Sequence, residues 1–118
     1  MVSRYAKEFL MIEILKSDWK LYREKIGGWQ ENYMEKLIAE YTDLLRAEDK
    51  KASDKFWELE KRIKNDRRHP GVIIEMKKSN AIYDMVNLVR SGVITCDDLI
   101  DFSDDLQQAV AFMVERFK

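Results

Sequence analysis

The chemistry-bearing residues of this chain crowd into one stretch, Arg62-Ile63-Lys64-Asn65-Asp66-Arg67-Arg68-His69-Pro70, which holds the lone histidine and the lone proline. Lys61, Arg62, Lys64, Arg67 and Arg68 could form an anion or nucleic-acid contact, because ammonium and guanidinium groups neutralise phosphates and release their counterions. The same cations have a structural use at a helix C-terminus, where each offsets the negative end of the dipole by about 0.3 to 1 kcal/mol. Glu58 precedes Arg62 by four residues and Glu60 precedes Lys64 by four, so two of these cations have carboxylates on their own helical surface. A phosphate groove gains nothing from acids seated beside its cations, and the structural reading is preferred.

The other candidates are thinner. Asp66 and His69 imitate half of the Glu-x-x-His pairing of a di-iron bundle, but no second histidine completes it. Asp97, Asp101 and Asp105 recur every four residues without the central glycine and terminal glutamate of a calcium loop. The single cysteine, Cys96, excludes an internal disulfide and suits a reducing compartment. A reactive thiol is one reading of it, and a small buried hydrophobe is the simpler one. Gly-rich phosphate loops, nucleophile elbows and paired metal-ligand spacings do not occur. The expectation is no enzyme, no catalytic residue, no metal and no cofactor.

Any site must be positioned by the elements around it, and composition points to helices. The 118 residues are 46% apolar and 36% charged with four glycines, a balance that suits packed helices in one domain spanning 1–118. Near the start, Lys7, Glu8, Glu13 and Lys16 interrupt every apolar run, so neither a secretory leader nor a membrane span is expected. The net charge of −1 supplies no global field toward nucleic acid or lipid, although the middle of the chain is basic and its end acidic. An acidic start of the last helix lying near the basic end of the long one, within a subunit or across a dimer, would balance the two.

Periodicity divides the chain into four helices. Tyr5, Phe9, Ile12, Leu15, Trp19, Tyr22 and Ile26 line one face of the first, widened by Leu10, Met11, Ile14 and Leu21, and Gly27-Gly28 is expected to end it. From residue 29 to about 67 neither glycine nor proline intervenes. Met34, Leu37, Tyr41, Leu45, Glu48, Ala52, Phe56, Leu59 and Ile63 keep three-and-four spacing across the polar run 46–55. That register predicts one long second helix of roughly 55 to 60 Å, with Ser53 as the cap of a separate helix in the alternative reading. Pro70 forces a break. A third helix follows, with Ile74, Ile82, Met85, Val86 and Val89 inward, a weak point at 77–80, and Gly92 as its left-handed cap. Thr95 with Asp98 forms a capping box for a fourth helix, whose inner face is Leu99, Phe102, Leu106, Val110, Met113 and Phe117. Trp19, Trp29 and Trp57 are expected on or near inner faces.

The fold class read from the sequence is thus all-α, a four-helix bundle-like domain with one long second helix at about 29–67. The function expected is a non-enzymatic, cytoplasmic helical protein–protein interaction module, a small regulatory or accessory protein of a bacterium. It would work as a homodimer, because a helix of that length would protrude from so small a body unless a partner covered it. The candidate surface is Leu45, Ala52, Phe56, Trp57, Leu59 and Ile63. The alternative is a nucleic-acid-associated protein using residues 61–78.

Overall fold

A computed structural model describes residues 13–117 and has four α-helices and no strand among the described residues. The helices are α1 (Lys16–Arg46), α2 (Ala52–Asp66), α3 (Ala81–Arg90) and α4 (Asp104–Arg116), with short 3₁₀ turns at Lys78–Asn80 and Cys96–Leu99. The all-α, four-helix class expected from periodicity is therefore present. Tyr5, Phe9, Leu10, Met11 and Ile12 lie outside the described residues.

The helix limits differ from expectation in the first half. α1 runs through Gly27-Gly28 without a break, a 31-residue helix about 46 Å long. Each helical glycine costs about 1 kcal/mol relative to alanine, but a glycine ends a helix only where the backbone turns left-handed. Among the described residues only Gly92 does so, at φ 82°. The stripe Tyr22, Ile26, Trp29, Tyr33 and Leu37 continues across the glycines at three-and-four spacing, and its packing on both sides outweighs their cost.

The long helix expected at 29–67 is two helices. The backbone leaves helical geometry at Ala47, where ψ is 130°, and α2 starts at Ala52 without a side-chain cap, so Ser53 is not the cap either. The chain then reverses. Arg62 Nη2 lies 2.8 Å from Glu40 Oε2, the Tyr41 hydroxyl donates to Asp66, and Lys55 Nζ donates to the Leu45 carbonyl at 2.9 Å. Register survived the polar run because each helix of an antiparallel pair has its own apolar stripe, and a five-residue connection does not force them out of phase. The run itself gives a turn no penalty: residues 48–50 are exposed and need no core.

The core is built by the first half of α1 together with α3, α4 and the turn between them. Tyr22, Met85, Leu88, Leu99, Val110 and Met113 are its innermost side chains, and Trp29 bridges Tyr22 to Phe102 with ring centroids 6.2 Å apart on each side. Pro70 starts no helix, and α3 begins only at Ala81, after the weak point at 77–80. Thr95 and Asp98 do form the capping box, yet it opens only the 3₁₀ turn; α4 is capped eight residues later by Ser103, whose Oγ accepts from Leu106 N. Asp18, at 4% exposure, in turn accepts from Ser103 N at 2.9 Å and from Ser103 Oγ at 2.5 Å. Phe117 lies outside the core, 40% exposed.

The second half of α1 and all of α2 leave this body as a two-helix arm. The molecule measures 54 × 34 × 23 Å with a radius of gyration of 17.5 Å. A compact domain of this length would have about 13.5 Å.

Candidate functional site

The residues expected from the sequence to form an interaction surface lie on the arm, but on two antiparallel helices instead of one. α2 contributes no buried residue at all. Phe56, Leu59 and Ile63, with Glu60, Lys64 and Arg67, line a groove of about 300 Å³ along its outer side. Phe56 is 63% exposed, Ile63 45% and Trp57 64%, so Trp57 is not on an inner face; it stands edge-on to the Phe56 ring at 5.0 Å. Leu45 belongs to α1, and Ala52 is exposed at the start of α2. The continuous Leu45–Ala52–Phe56–Leu59 face of a single helix does not exist.

Two exposed residues of α1 extend the α2 surface. α1 meets α2 through Glu40 and Tyr41, with the buried Leu37 on the same helical face, and α2 faces back through Arg62 and Asp66. At about 100° per residue, Ile38 and Leu45 stand a quarter-turn from the first set, and Phe56 and Ile63 a quarter-turn from the second, in the same rotational sense. Because the helices run in opposite directions, both pairs fall on one side of the arm. Ile38, 60% exposed, was not singled out by sequence reasoning. Its seven-residue spacing from Leu45 was the available signal, and it has meaning only once the hairpin is known.

The five basic candidates divide. Arg62 is committed to Glu40, reaches Asp66 at 3.9 Å and lies over the Tyr41 ring, and the Glu40 hydrogen bond raises its pKa further. Burial and the Asp66 hydrogen bond push the Tyr41 hydroxyl up to about 12. Lys64 reaches Glu60 at 3.9 Å. Lys61, Arg67 and Arg68 are exposed, with no carboxylate in ion-pair reach among the described residues. No ion pair joins these cations to the acids of 97–105 there, so the balance of basic middle against acidic end is not made within the subunit; Asp101 pairs instead with Lys25 at 3.3 Å.

His69 is a turn residue. Its Nδ1 accepts from Gly71 N at 3.0 Å, its ring stacks on Tyr33, and its carbonyl accepts from Val72 N and Ile73 N. Cys96 is exposed, which sets aside the reading of it as a buried hydrophobe.

Sequence reasoning passed over Asp84. It lies in a groove of about 530 Å³ between α3 and the chain entering it, shared with Arg68, Ile74, Asn87 and Arg90. Burial lifts its carboxyl to about 6, while the Tyr22 hydroxyl, donating at 3.3 Å, offsets part of that rise. Burial and the Asp84 charge hold that hydroxyl far above the ordinary tyrosine range. No group of three or more His, Cys, Asp or Glu among the described residues could hold a metal ion, and no helix there is long and apolar enough to cross a membrane. Comparison with protein-family models, with curated proteins and with solved structures finds no match to this chain, so the arm and its open face are what any reading of function must start from.

Proposed function

We propose that the chain is a non-enzymatic helical interaction module that pairs as a homodimer through the outer face of its α1–α2 arm. The observation that carries this reading is that α2, an amphipathic helix, buries none of its residues while Phe56, Leu59 and Ile63 line an open groove. Short helices in water draw their stability from packing of an apolar face, and an exposed apolar patch rimmed by charge is how a contact surface presents itself. The hairpin folds away the helix length that would have protruded, and the open face is the surface left to be covered. An exposed, unpaired thiol at Cys96 fits a reducing cytoplasm. Light scattering across about 1 to 100 µM, the range suited to a small interface, tests the proposal. We expect the mass to rise toward twice 14.1 kDa, and Phe56→Glu with Ile63→Glu to hold the protein at monomer mass. A wild type that stays monomeric throughout sinks it.

One observation favours a second reading, contact with nucleic acid: Lys61, Arg67 and Arg68 are exposed and make no ion pair among the described residues. Against it, Glu60 sits in the same groove as Lys64 and Arg67. Binding of labelled DNA and RNA at two salt concentrations separates the readings. Submicromolar, steeply salt-dependent affinity that Arg67→Ala/Arg68→Ala removes would favour the second; the weak background of about 10⁻⁴ to 10⁻⁶ M would favour the first.

A further inference from the structure

We infer that the two arms join antiparallel, α2 against the partner's α2, about a twofold axis near Lys61 and Arg62. This rests on the reading of the arm as the dimer contact and adds its direction and register.

The order of charge along the open face sets this direction. From the start of α2 the groove presents Phe56, Leu59, Glu60, Ile63, Lys64 and Arg67, so its acid comes before its bases. Three other charges nearby are held within the arm, Glu58 by Lys50 at 2.7 Å, Arg62 by Glu40 at 2.8 Å and Lys55 by the Leu45 carbonyl, whereas Lys61 makes no ion pair among the described residues. A parallel pairing would set Glu60 on the partner's Glu60, Lys64 on the partner's Lys64 and Arg67 on the partner's Arg67, each a like-charge contact. The antiparallel pairing sets Leu59 beside the partner's Ile63, Glu60 beside the partner's Lys64, and Phe56 under the partner's Arg67. Each of these contacts occurs twice, as an isologous interface requires. The last places a guanidinium over an exposed aromatic face, an attractive arrangement. The Glu60–Lys64 contact within one helix is long, 3.9 Å, and leaves both groups able to reach across.

Size fixes the strength. The face, two helices wide and one 15-residue helix long, covers a footprint of roughly 20 by 22 Å, about 450 Å² per protomer. Stable complexes bury about 800 Å² per partner, so this contact belongs to the weak class, and Ile38 and Leu45 are needed to reach even that size.

Spin labels on the full-length chain report direction. In a Cys96→Ser background, labels at Ser53→Cys and, separately, Lys61→Cys should show different intermolecular distances. About an axis near 61 and 62, residue 53 is displaced along the helix from its counterpart by about 25 Å and residue 61 by about 2 Å. A dimer with a clearly longer distance at 53 than at 61 supports the inference, and equal short distances at both overturn it while leaving the dimer standing. Charge exchange adds a second readout: Glu60→Lys or Lys64→Glu alone should weaken association about tenfold, and an equimolar mixture of the two variants should recover it. Variants that associate as tightly as the wild type overturn the electrostatic register. A wild type that is monomeric at every concentration removes the dimer reading itself, and this inference with it.

Discussion

The Tyr33 ring lies flat on the His69 imidazole, centroids 4.5 Å apart and planes 8° from parallel. One residue belongs to the helix that leaves the body and the other to the turn that returns to it, so the stack clasps the root of the arm. Gly71 passes directly against the same tyrosine: a Cβ there would come within 2.2 Å of Tyr33 Cδ1.

Gly71→Ala should therefore be costly. The tyrosine cannot swing aside without leaving the His69 stack, and forced overpacking of this kind costs about 1 to 3 kcal/mol. Urea unfolding of the variant should show a lower midpoint with an unchanged slope. A wild-type midpoint would mean that the clasp is looser than its geometry.

Gly27 and Gly28 should behave in the opposite way. Both lie inside α1, and a Cβ at either meets nothing within 4 Å. Replacing each with alanine removes the entropic disadvantage of glycine in a helix and should stabilise the fold by about 0.5 to 1 kcal/mol per site. Thermal melts of the single and double variants check this, and a loss of stability would show that the glycines serve a bend in the helix.

Asp18 is a buried carboxylate whose hydrogen bonds go to Ser103, the residue that caps α4. Asp18→Ala leaves the Ser103 amide without its acceptor and frees the cap, for a loss of about 2 to 3 kcal/mol. Hydrogen exchange should show the first turn of α4 losing protection before the rest of that helix. Uniform loss along α4 would contradict the capping account.

Asp84 makes stability depend on pH. Its folded value is about 6 against an ordinary 3.8, so the folded chain holds this proton more tightly than the unfolded chain does. Its contribution thus grows more favourable as pH falls from about 6 to about 4, and is unfavourable and flat above 6. The group is only partly buried, which limits the effect to the order of 1 kcal/mol. Asp84→Asn keeps an acceptor for Tyr22 and should raise stability at neutral pH while removing this slope from chemical-denaturation curves taken between pH 4 and 7. An unaltered slope would assign the dependence to other carboxylates.

Three-and-four periodicity made the helices around the core legible, because Met85, Leu106 and Val110 are apolar for the same reason that they are buried. It could not place the turn at 47–51. Nothing in Glu48-Asp49-Lys50 forbids a helix; the reversal is decided by what Glu40, Tyr41, Arg62 and Asp66 gain on meeting, and those contacts are 22 and 25 residues apart in sequence. Gly27-Gly28 misled in the other direction, a local signal overridden by the aromatic packing of Tyr22 and Trp29. Phe56, Leu59 and Ile63 of the candidate surface do line one groove, and the exposed Ile38 on the neighbouring helix became visible only with the fold. Asp18 and Asp84 carried no signal at all, since a lone aspartate in a charged helix reads as solvated.

Gln30 Nε2 donates to the Pro70 carbonyl at 3.1 Å, so the chain departs from the body and comes back to it at nearly one point. The 39 residues between are, in architectural terms, an insertion into a smaller helical protein. Such an insertion can drift in length without disturbing its host: one helical turn added to each strand of the hairpin would move the tip outward by about 5.4 Å and leave Tyr33, His69 and Gly71 untouched. The reach of the arm is thereby an independent variable for evolution or for engineering, and the arm could be grafted between any two helix ends brought equally close.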